Sequence, residues 1–402
     1  MAGKNDILLL TSSYGGGHRQ AALALGEALT ICAPHLNYTM VDFIKEWSPA
    51  LNRLAEASYC QAVIYAPFLW REFYAATAKS ASNGGLQRAF NRLFIPRARR
   101  LLATYRPRVV VSFYPVPATV MAQLKADGET GAAMVTVITD QTVHSQWLHP
   151  GTDLYLVGSN QVRDGLIARG IPPERVVATG IPVSPAFARR RTAVEARRAL
   201  NLDQYLSVVI VTSGAQGMFR GASSLCRGLV RSPVNMQVVV IAGHNERLRA
   251  RVARVVTGGP NPALVLGFVS NMAEWMAAAD LLVGKAGGLT TTEALARNLP
   301  MVIINPIPGQ EEANTNFLTA AGAAVRARDT EEAVGQVEAL LTDHERLHSM
   351  RRAARRIARP RAAFDAAARV LAFLDNSCHG FTPFVPAPRA GATAGIGWGE
   401  AR

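Results

Sequence analysis

The chain has 402 residues, more than one hydrophobic core usually organises, and 49% of them are apolar, which is enough for two packed domains. Its net charge of +14, from 43 basic and 29 acidic residues, suits a nucleic-acid binder, a membrane-surface protein or a soluble basic enzyme. Cys32, Cys60, Cys226 and Cys378 lie far apart and form no Cys-x-x-Cys pair, which argues against a metal cage or a disulfide framework and fits a reducing cytoplasm.

The apolar run Ile7–Leu10 is too short for a signal sequence or a membrane span, and no later segment offers about twenty uncharged apolar residues. A soluble or peripherally bound protein is therefore expected. Short apolar runs then alternate with amphipathic stretches, the pattern of strand, crossover helix and parallel strand. In the first half the predicted strands are Ile7–Leu10, Tyr38–Val41, Val109–Ser112, Met134–Ile138 and Leu154–Val157. Gly180-Ile-Pro-Val-Ser-Pro-Ala-Phe187 reads as a linker. The alternation resumes with Ser207–Val211, Gln237–Ile241, Ala263–Leu266, Leu281–Val283 and Met301–Ile304. This predicts an α/β protein of two Rossmann-like domains facing each other across a cleft: residues 1–187, residues 188–375, and a disordered Pro-, Gly- and Ala-rich tail over 376–402. No repeat with a period of about 20 to 50 residues interrupts the pattern.

Charge is unevenly spread. Between Phe73 and Ala126 there is no acidic residue, while Lys79, Arg88, Arg92, Arg97, Arg99, Arg100, Arg106, Arg108 and Lys125 fall there. Tyr65, Phe68, Trp70, Phe73, Tyr74, Phe90 and Phe94 precede or interleave them. Rings and guanidinium groups on one surface can enter the headgroup region of an anionic bilayer, although a solvated face over core aromatics accounts for the same residues. Arg351, Arg352, Arg355, Arg356 and Arg359 form a second stripe at helical spacing. No zinc-finger spacing or RNA-binding aromatic signature favours nucleic acid.

Three glycine-rich turns each follow a strand and open a helix: Thr11-Ser-Ser-Tyr-Gly-Gly-Gly-His18, Thr212-Ser-Gly-Ala-Gln-Gly217 and Gly284-Lys-Ala-Gly-Gly-Leu-Thr290, the last with its helix expected near Thr291. In parallel α/β sheets, ligands sit beyond the carboxyl ends of strands, where helix N-termini aim free N–H groups at anions. A dinucleotide fingerprint fails at the first turn. Gly15, Gly16 and Gly17 are present, but Gln20 stands where the last glycine or alanine belongs, so Asp42 reads as a cap rather than a ribose-binding acid.

The stretch Gly267-Phe-Val-Ser-Asn-Met-Ala-Glu-Trp-Met-Ala-Ala-Ala-Asp280, continuing through the third turn to Glu293, and then Pro306-Ile-Pro-Gly-Gln-Glu-Glu-Ala-Asn314, resembles the nucleotide-sugar site of GT-B glycosyltransferases. The resemblance is to the group containing the monogalactosyldiacylglycerol synthases, the processive diacylglycerol glucosyltransferases and the peptidoglycan lipid-intermediate N-acetylglucosaminyltransferase. Ser13-Tyr-Gly-Gly-Gly-His-Arg-Gln-Ala-Ala22, Val137-Ile-Thr-Asp140 with His144, Trp147 and His149, and the linker resemble the diacylglycerol enzymes; Tyr14, Gln20 and the loop after Asp140 depart from the group's pattern. The resemblance implies that Glu293 bonds the ribose, that Gln310 and Glu311 bond sugar hydroxyls with Asn314 beside them, and that Phe268 and Val269 frame uracil.

From the residues themselves, Thr290 and Glu293 also fit a capping box, and Phe268 and Val269 also fit a strand end in the core. His18, at a helix start facing the cleft, is the candidate base for an attacking hydroxyl, with Asp140 as alternative base or as the group that orients it. A cap or a phosphate contact is the other reading of His18. No Asp-x-Asp occurs, so a departing diphosphate falls to backbone N–H groups near Ser213, Gly214, Gly287 and Gly288, with Lys285 or Arg220. Gly15, Gly16, Gly17 and Trp147 are candidates for an acceptor or phosphate loop, while loop packing serves equally for His144, Trp147 and His149.

The expectation is a metal-free, cofactor-free inverting transferase that moves glucose or galactose from a UDP-sugar to diacylglycerol, in the cytoplasm at the inner face of the membrane. The alternatives are N-acetylglucosamine transfer to a polyprenyl-linked peptidoglycan intermediate and UDP-sugar 2-epimerisation on the same fold.

Overall fold

The computed structural model describes residues 6–12, 16–45, 68, 72, 91–212, 214 and 221–375. Two six-stranded sheets, parallel throughout, form the two halves. In the first, β1 (Ile7–Thr11), β2 (Tyr38–Asp42), β3 (Val109–Ser112), β4 (Ala133–Val137), β5 (Leu154–Leu156) and β6 (Val176–Val177) lie in the order β2-β1-β3-β4-β5-β6. In the second, β7 (Ser207–Thr212), β8 (Met236–Ile241), β9 (Ala263–Leu266), β10 (Leu281–Gly284), β11 (Met301–Ile304) and β12 (Ala324–Ala327) are ordered β12-β11-β10-β7-β8-β9. Each sheet has one place where chain direction through the sheet reverses, between β1 and β3 and between β7 and β10. That reversal opens a crevice beyond the strand ends.

The strands read as continuous apolar runs because helices cover both faces. Alternate residues of one strand serve opposite cores: Ile7 and Leu9 pack on one side of the first sheet, Leu8 and Leu10 on the other. Val208 and Ile210 divide from Val209 and Val211 in the same way. The two strands missing from the sequence reading, β6 and β12, are edge strands: β6 has two residues, and β12 carries the exposed Arg326.

The expected domain limits differ from the packing in two places. Val183 and Phe187 are buried in the second core, and Arg297 binds the Ala186 and Arg189 carbonyls at 3.0 and 2.7 Å, so most of the expected linker is anchored to the second domain. The helix Ala362–Asp375 instead crosses back: Ala363, Ala366, Ala367, Val370 and Leu374 pack into the first core beside the helix Gly17–Cys32. Both crossings meet at Gly180, whose φ of 93° suits glycine and whose missing Cβ would strike Arg359 and Ala362. Local amphipathic pattern cannot reveal which of two cores a helix joins.

The acid-free stretch is not acid-free in space. Glu129 grips Arg99 with two bonds of 2.6 Å, Asp6 lies 3.8 Å from Arg108, and Asp153 lies 2.5 Å from Lys125. Arg92, Arg100 and Arg106 stay exposed, as do Leu93, which follows Arg92 in the chain, and Phe68. Lys79, Arg88, Tyr65, Trp70, Phe73, Tyr74, Phe90 and the tail lie outside the described residues. In the second basic stripe, Arg351 is tied to Asp280 at 2.6 Å, while Arg352, Arg355 and Arg356 form the solvated face. Among the described residues no helix is long and apolar enough to cross a membrane.

Candidate active site

The helix Gly17–Cys32 begins directly after the β1 crevice. Gly16 supplies its N-cap with φ 75°, a left-handed conformation that a side chain disfavours. His18, in the first turn, is half-buried. Its Nδ1 lies 2.9 Å from the Thr139 hydroxyl, its ring meets Tyr114 edge-on at 5.2 Å, and Trp147 is tilted at 6.3 Å. Burial lowers the imidazole to about 4, against a hydrogen bond to the Phe113 backbone that works the other way. His18 is thus neutral at pH 7, the form a base requires, and a hydroxyl fixes its orientation.

The group that holds His18 is Thr139, whereas Asp140 makes its hydrogen bond to the second domain, accepting from Asn314 Nδ2 at 3.1 Å. Burial pushes the Asp140 carboxyl up to about 7; the Asn314 bond lowers it and the charge of Glu311 adds to the rise. Thr139 was visible in the Ile-Thr-Asp run, but which of two adjacent polar side chains reaches a histidine 121 positions earlier depends on the strand's exit angle.

Across the cleft, the helix Gly288–Ala296 starts at the β10 end, earlier than the expected Thr291, with Gly287 as its N-cap. Thr290 therefore lies inside the helix and no capping box forms. Glu293 is half-buried on this helix, its carboxyl has no hydrogen-bond partner among the described residues, and burial raises that carboxyl to about 8. The cap reading of Glu293 is removed. Gly284 and Gly288 mark close approaches: a Cβ at Gly284 would lie 2.4 Å from the Thr212 carbonyl, and one at Gly288 only 2.0 Å from the Thr139 carbonyl of the other domain.

The helix Gln310–Ala320 buries Glu311, Asn314, Thr315 and Leu318, one face at helical spacing. Gln310 and Glu311 occupy its first turn, where acidic groups are favoured. Glu311 accepts from the Ile307 N–H at 2.7 Å and lies 3.5 Å from Lys285 Nζ, so it holds the lysine of the glycine turn. Asn314 is fully buried and bonded on three sides. On the flank, beyond β8 and β9, the half-exposed Phe268 ring stacks on His244 at 4.4 Å with 9° between planes, while Val269 packs on the core. His244 was not singled out in the sequence; only its place in a Gly-His-Asn turn after a strand marked it.

Gly214 has φ 70° and its N–H bonds the Thr212 hydroxyl at 3.3 Å. Ser213, Arg220, Tyr14 and Gly15 lie outside the described residues. Trp147 is buried among Ile138, Tyr155 and Val157, and its ring lies tilted by 54° to that of His18. His149 is fixed as a neutral structural residue, Nδ1 accepting from the Gly151 N–H at 3.1 Å and Nε2 facing Gln123 at 3.1 Å, with burial lowering its pKa. His144 caps the short turn Ser145–Trp147. Asp42 accepts from the Lys45 N–H at 3.0 Å, a turn cap as expected from the failed dinucleotide fingerprint. A cavity of about 630 Å³ bounded by Arg99, Arg106, Arg108 and Phe373 opens at the amino ends of β3 and β4, the wrong edge of the sheet for this chemistry.

Gly288 gives the cleft a direct test. Its φ is not left-handed, so alanine fits the helix start, and the strain falls on the Thr139 backbone and Asp140 Oδ1 opposite. Gly288→Ala is expected to lower the melting temperature by a few degrees and to lower kcat/KM about a hundredfold, the cost of roughly 1 Å of misplacement between reacting groups. Steady-state kinetics with a melting curve checks both halves.

A family model described as monogalactosyldiacylglycerol (MGDG) synthase matches residues 18–183, and one described as the glycosyltransferase family 28 C-terminal domain matches residues 208–369. A processive diacylglycerol beta-glucosyltransferase of Bacillus cereus (strain AH187) is 30% identical over 360 residues, covering 89% of this chain and 91% of that protein. Among solved structures, MurG of Acinetobacter baumannii has a TM-score of 0.59 at 16% identity, over 92% of this chain and 99% of that one. A putative UDP-N-acetylglucosamine 2-epimerase of Listeria monocytogenes has a TM-score of 0.59 at 14% identity, over 93% and 96%. These two structures share the fold.

Two parallel Rossmann-like sheets with their crevices apposed, in a chain matched by glycosyltransferase models in both halves, define a glycosyltransferase of the GT-B class. Within that class the chain belongs to the family of the MGDG synthases and processive diacylglycerol glucosyltransferases.

Proposed function

We propose that this enzyme transfers glucose or galactose from a UDP-sugar to diacylglycerol with inversion and without a metal ion, working in the cytoplasm against the inner face of the membrane. The observation that carries the reading is the apposition of His18, held by Thr139, with the glycine turn at Gly288 that packs on the same Thr139. The relative from Bacillus cereus, named a diacylglycerol glucosyltransferase, supports the choice of acceptor.

In this reading the uracil lies against Phe268 and His244, Glu293 takes the ribose hydroxyls, and Gln310 and Glu311 face the sugar. The diphosphate sits over the N–H groups of Gly287 and Gly288, with Lys285 behind them. The acceptor oxygen attacks the anomeric carbon as the bond to the diphosphate oxygen breaks. His18 removes the hydroxyl proton, and UDP departs with the bonding pair, stabilised by the helix N-terminus. Exposed Arg92, Arg100 and Leu93 supply a basic, partly apolar surface for an anionic bilayer.

The test is incubation of the purified protein with labelled UDP-glucose, UDP-galactose or UDP-N-acetylglucosamine and vesicles containing diacylglycerol, a polyprenyl-linked peptidoglycan intermediate or both, with and without a strong chelator. A labelled glycolipid from one of the two hexoses, undiminished by chelator, is expected. Free epimerised UDP-sugar, or label passing only to a polyprenyl-linked acceptor, overturns the acceptor; activity lost to chelator and restored by magnesium overturns the metal-free step.

A further inference from the structure

Asn314 is fully buried and sits between the two domains. Its Oδ1 accepts from the Gln141 N–H at 2.7 Å, and its Nδ2 donates to Asp140 Oδ1 at 3.1 Å and to the Ala286 carbonyl at 2.9 Å. The amide has one workable orientation. Turned over, its NH₂ would face a backbone N–H and its oxygen would face a carbonyl, so two buried bonds would be lost together. Two of the three partners belong to the first domain and the third to the glycine turn of the second.

The segment it grips is short and continuous with the site. Thr139, next to Asp140, holds His18 at 2.9 Å, and its carbonyl is the backbone atom on which Gly288 packs. Leu289 joins this contact by packing against both cores. A chain of direct contacts thus runs from the donor turn, through Asn314, to the residues that set the His18 ring.

We infer that Asn314 is a positioning residue: its side-chain amide clasps the Thr139–Gln141 segment to the donor turn and so sets His18 against the donor when the cleft is closed. This assigns Asn314 a role between the domains in place of a sugar contact. All of its polar atoms are engaged by protein, and a sugar hydroxyl would have to displace one of these bonds. The inference rests on the transfer reading only for what closure serves. The clasp itself is a statement about two domains.

Hydrogen exchange separates the two. The Gln141 amide is protected by Asn314 and not by a strand, so its exchange reports the clasp without any turnover. In Asn314→Ala and in the nearly isosteric Asn314→Asp, peptides covering residues 139–142 and the start of the helix Gly288–Ala296 are expected to exchange at least tenfold faster. UDP affinity, read by calorimetry, should stay within about threefold, while the melting temperature falls by a few degrees because the buried partners of Asn314 lose their bonds. Turnover should fall about ten- to hundredfold with little change in KM for the donor. Asn314→Asp retains the acceptor for Gln141 but sets a carboxylate against both Asp140 and the Ala286 carbonyl; adding Asp140→Asn supplies a donor at the first of these and should restore protection at Gln141, while the Gly288 side, still without a donor to Ala286, stays fast.

Unchanged exchange in both variants, or exchange faster at Gln141 alone with the Gly288 side untouched, overturns the clasp. So does a loss of UDP-sugar affinity with turnover intact, which would make Asn314 a sugar ligand. If the clasp signature appears while no glycolipid forms with the unaltered protein, the inference stands and the transfer reading fails.

Discussion

Replacing His18 by alanine is expected to lower turnover by about 10²–10⁴, the usual worth of a positioned general base, while UDP affinity changes by less than about threefold. The side chain lies at the meeting of the two crevices, fixed by Thr139 and flanked by Tyr114 and Trp147, yet its loss leaves the helix Gly17–Cys32 capped by the backbone of Gly16. A variant that retains most of its turnover removes His18 as the base.

The pH profile distinguishes His18 from Asp140. Burial depresses His18 from its ordinary value to about 4 and raises Asp140 to about 7. Because kcat/KM reports groups of the free enzyme, a reaction that needs neutral His18 alone rises through about pH 4 and is level across pH 7. One that needs ionised Asp140 rises through about 7 instead. We expect the first profile, and expect Asp140→Asn, which keeps an acceptor for Asn314, to retain it with less than about a tenfold loss. A base that titrates near 4 is weak in the empty cleft. An arriving diphosphate raises it, since a nearby negative charge favours the imidazolium. Profiles of kcat/KM and kcat should therefore differ, with the acid limb of kcat displaced upward.

How far the sequence carried this picture depends on the kind of feature. Ten strands were legible to within a residue or so at each end because a parallel sheet buried on both faces writes an uninterrupted apolar run, as in Val208–Val211. The two-residue β6 and the half-polar β12 write no such run. Glycine turns were legible as sites because a close backbone approach excludes a Cβ, but the sequence could not say what each glycine approaches. Gly284 meets a neighbouring strand and Gly288 meets the other domain. Thr139, Gln141 and His244 gain their importance from partners more than twenty residues away, and no local spacing encodes that. The same holds for Asn314, whose motif pointed to a sugar while its bonds point across the cleft.

Glu293 makes the second large prediction, and it has two opposite signs. Its carboxyl has no hydrogen-bond partner among the described residues, and burial raises it from 4.5 to about 8. In the empty folded protein it therefore keeps a proton that the unfolded chain releases above about pH 4.5. Stability contributed by the protonated form is present below 4.5, declines as pH rises towards 8, and then levels off; the full span is on the order of a few kcal/mol. Glu293→Gln removes the titration while keeping the shape. The ligand-free variant should match the native protein in thermal stability near pH 4.5 and exceed it at pH 8. If the carboxyl is there to receive the ribose, the same substitution weakens UDP binding about ten- to hundredfold, or about 1.4–2.8 kcal/mol. Calorimetry with UDP and with its 2′,3′-dideoxy analogue isolates the contact: the native protein should prefer UDP strongly, and the variant should prefer it little. Equal discrimination by both proteins would mean that Glu293 does not touch the ribose. The stability gain at pH 8 is the counterpart of a site in which an acid with no hydrogen bond among the described residues is held ready for a ligand.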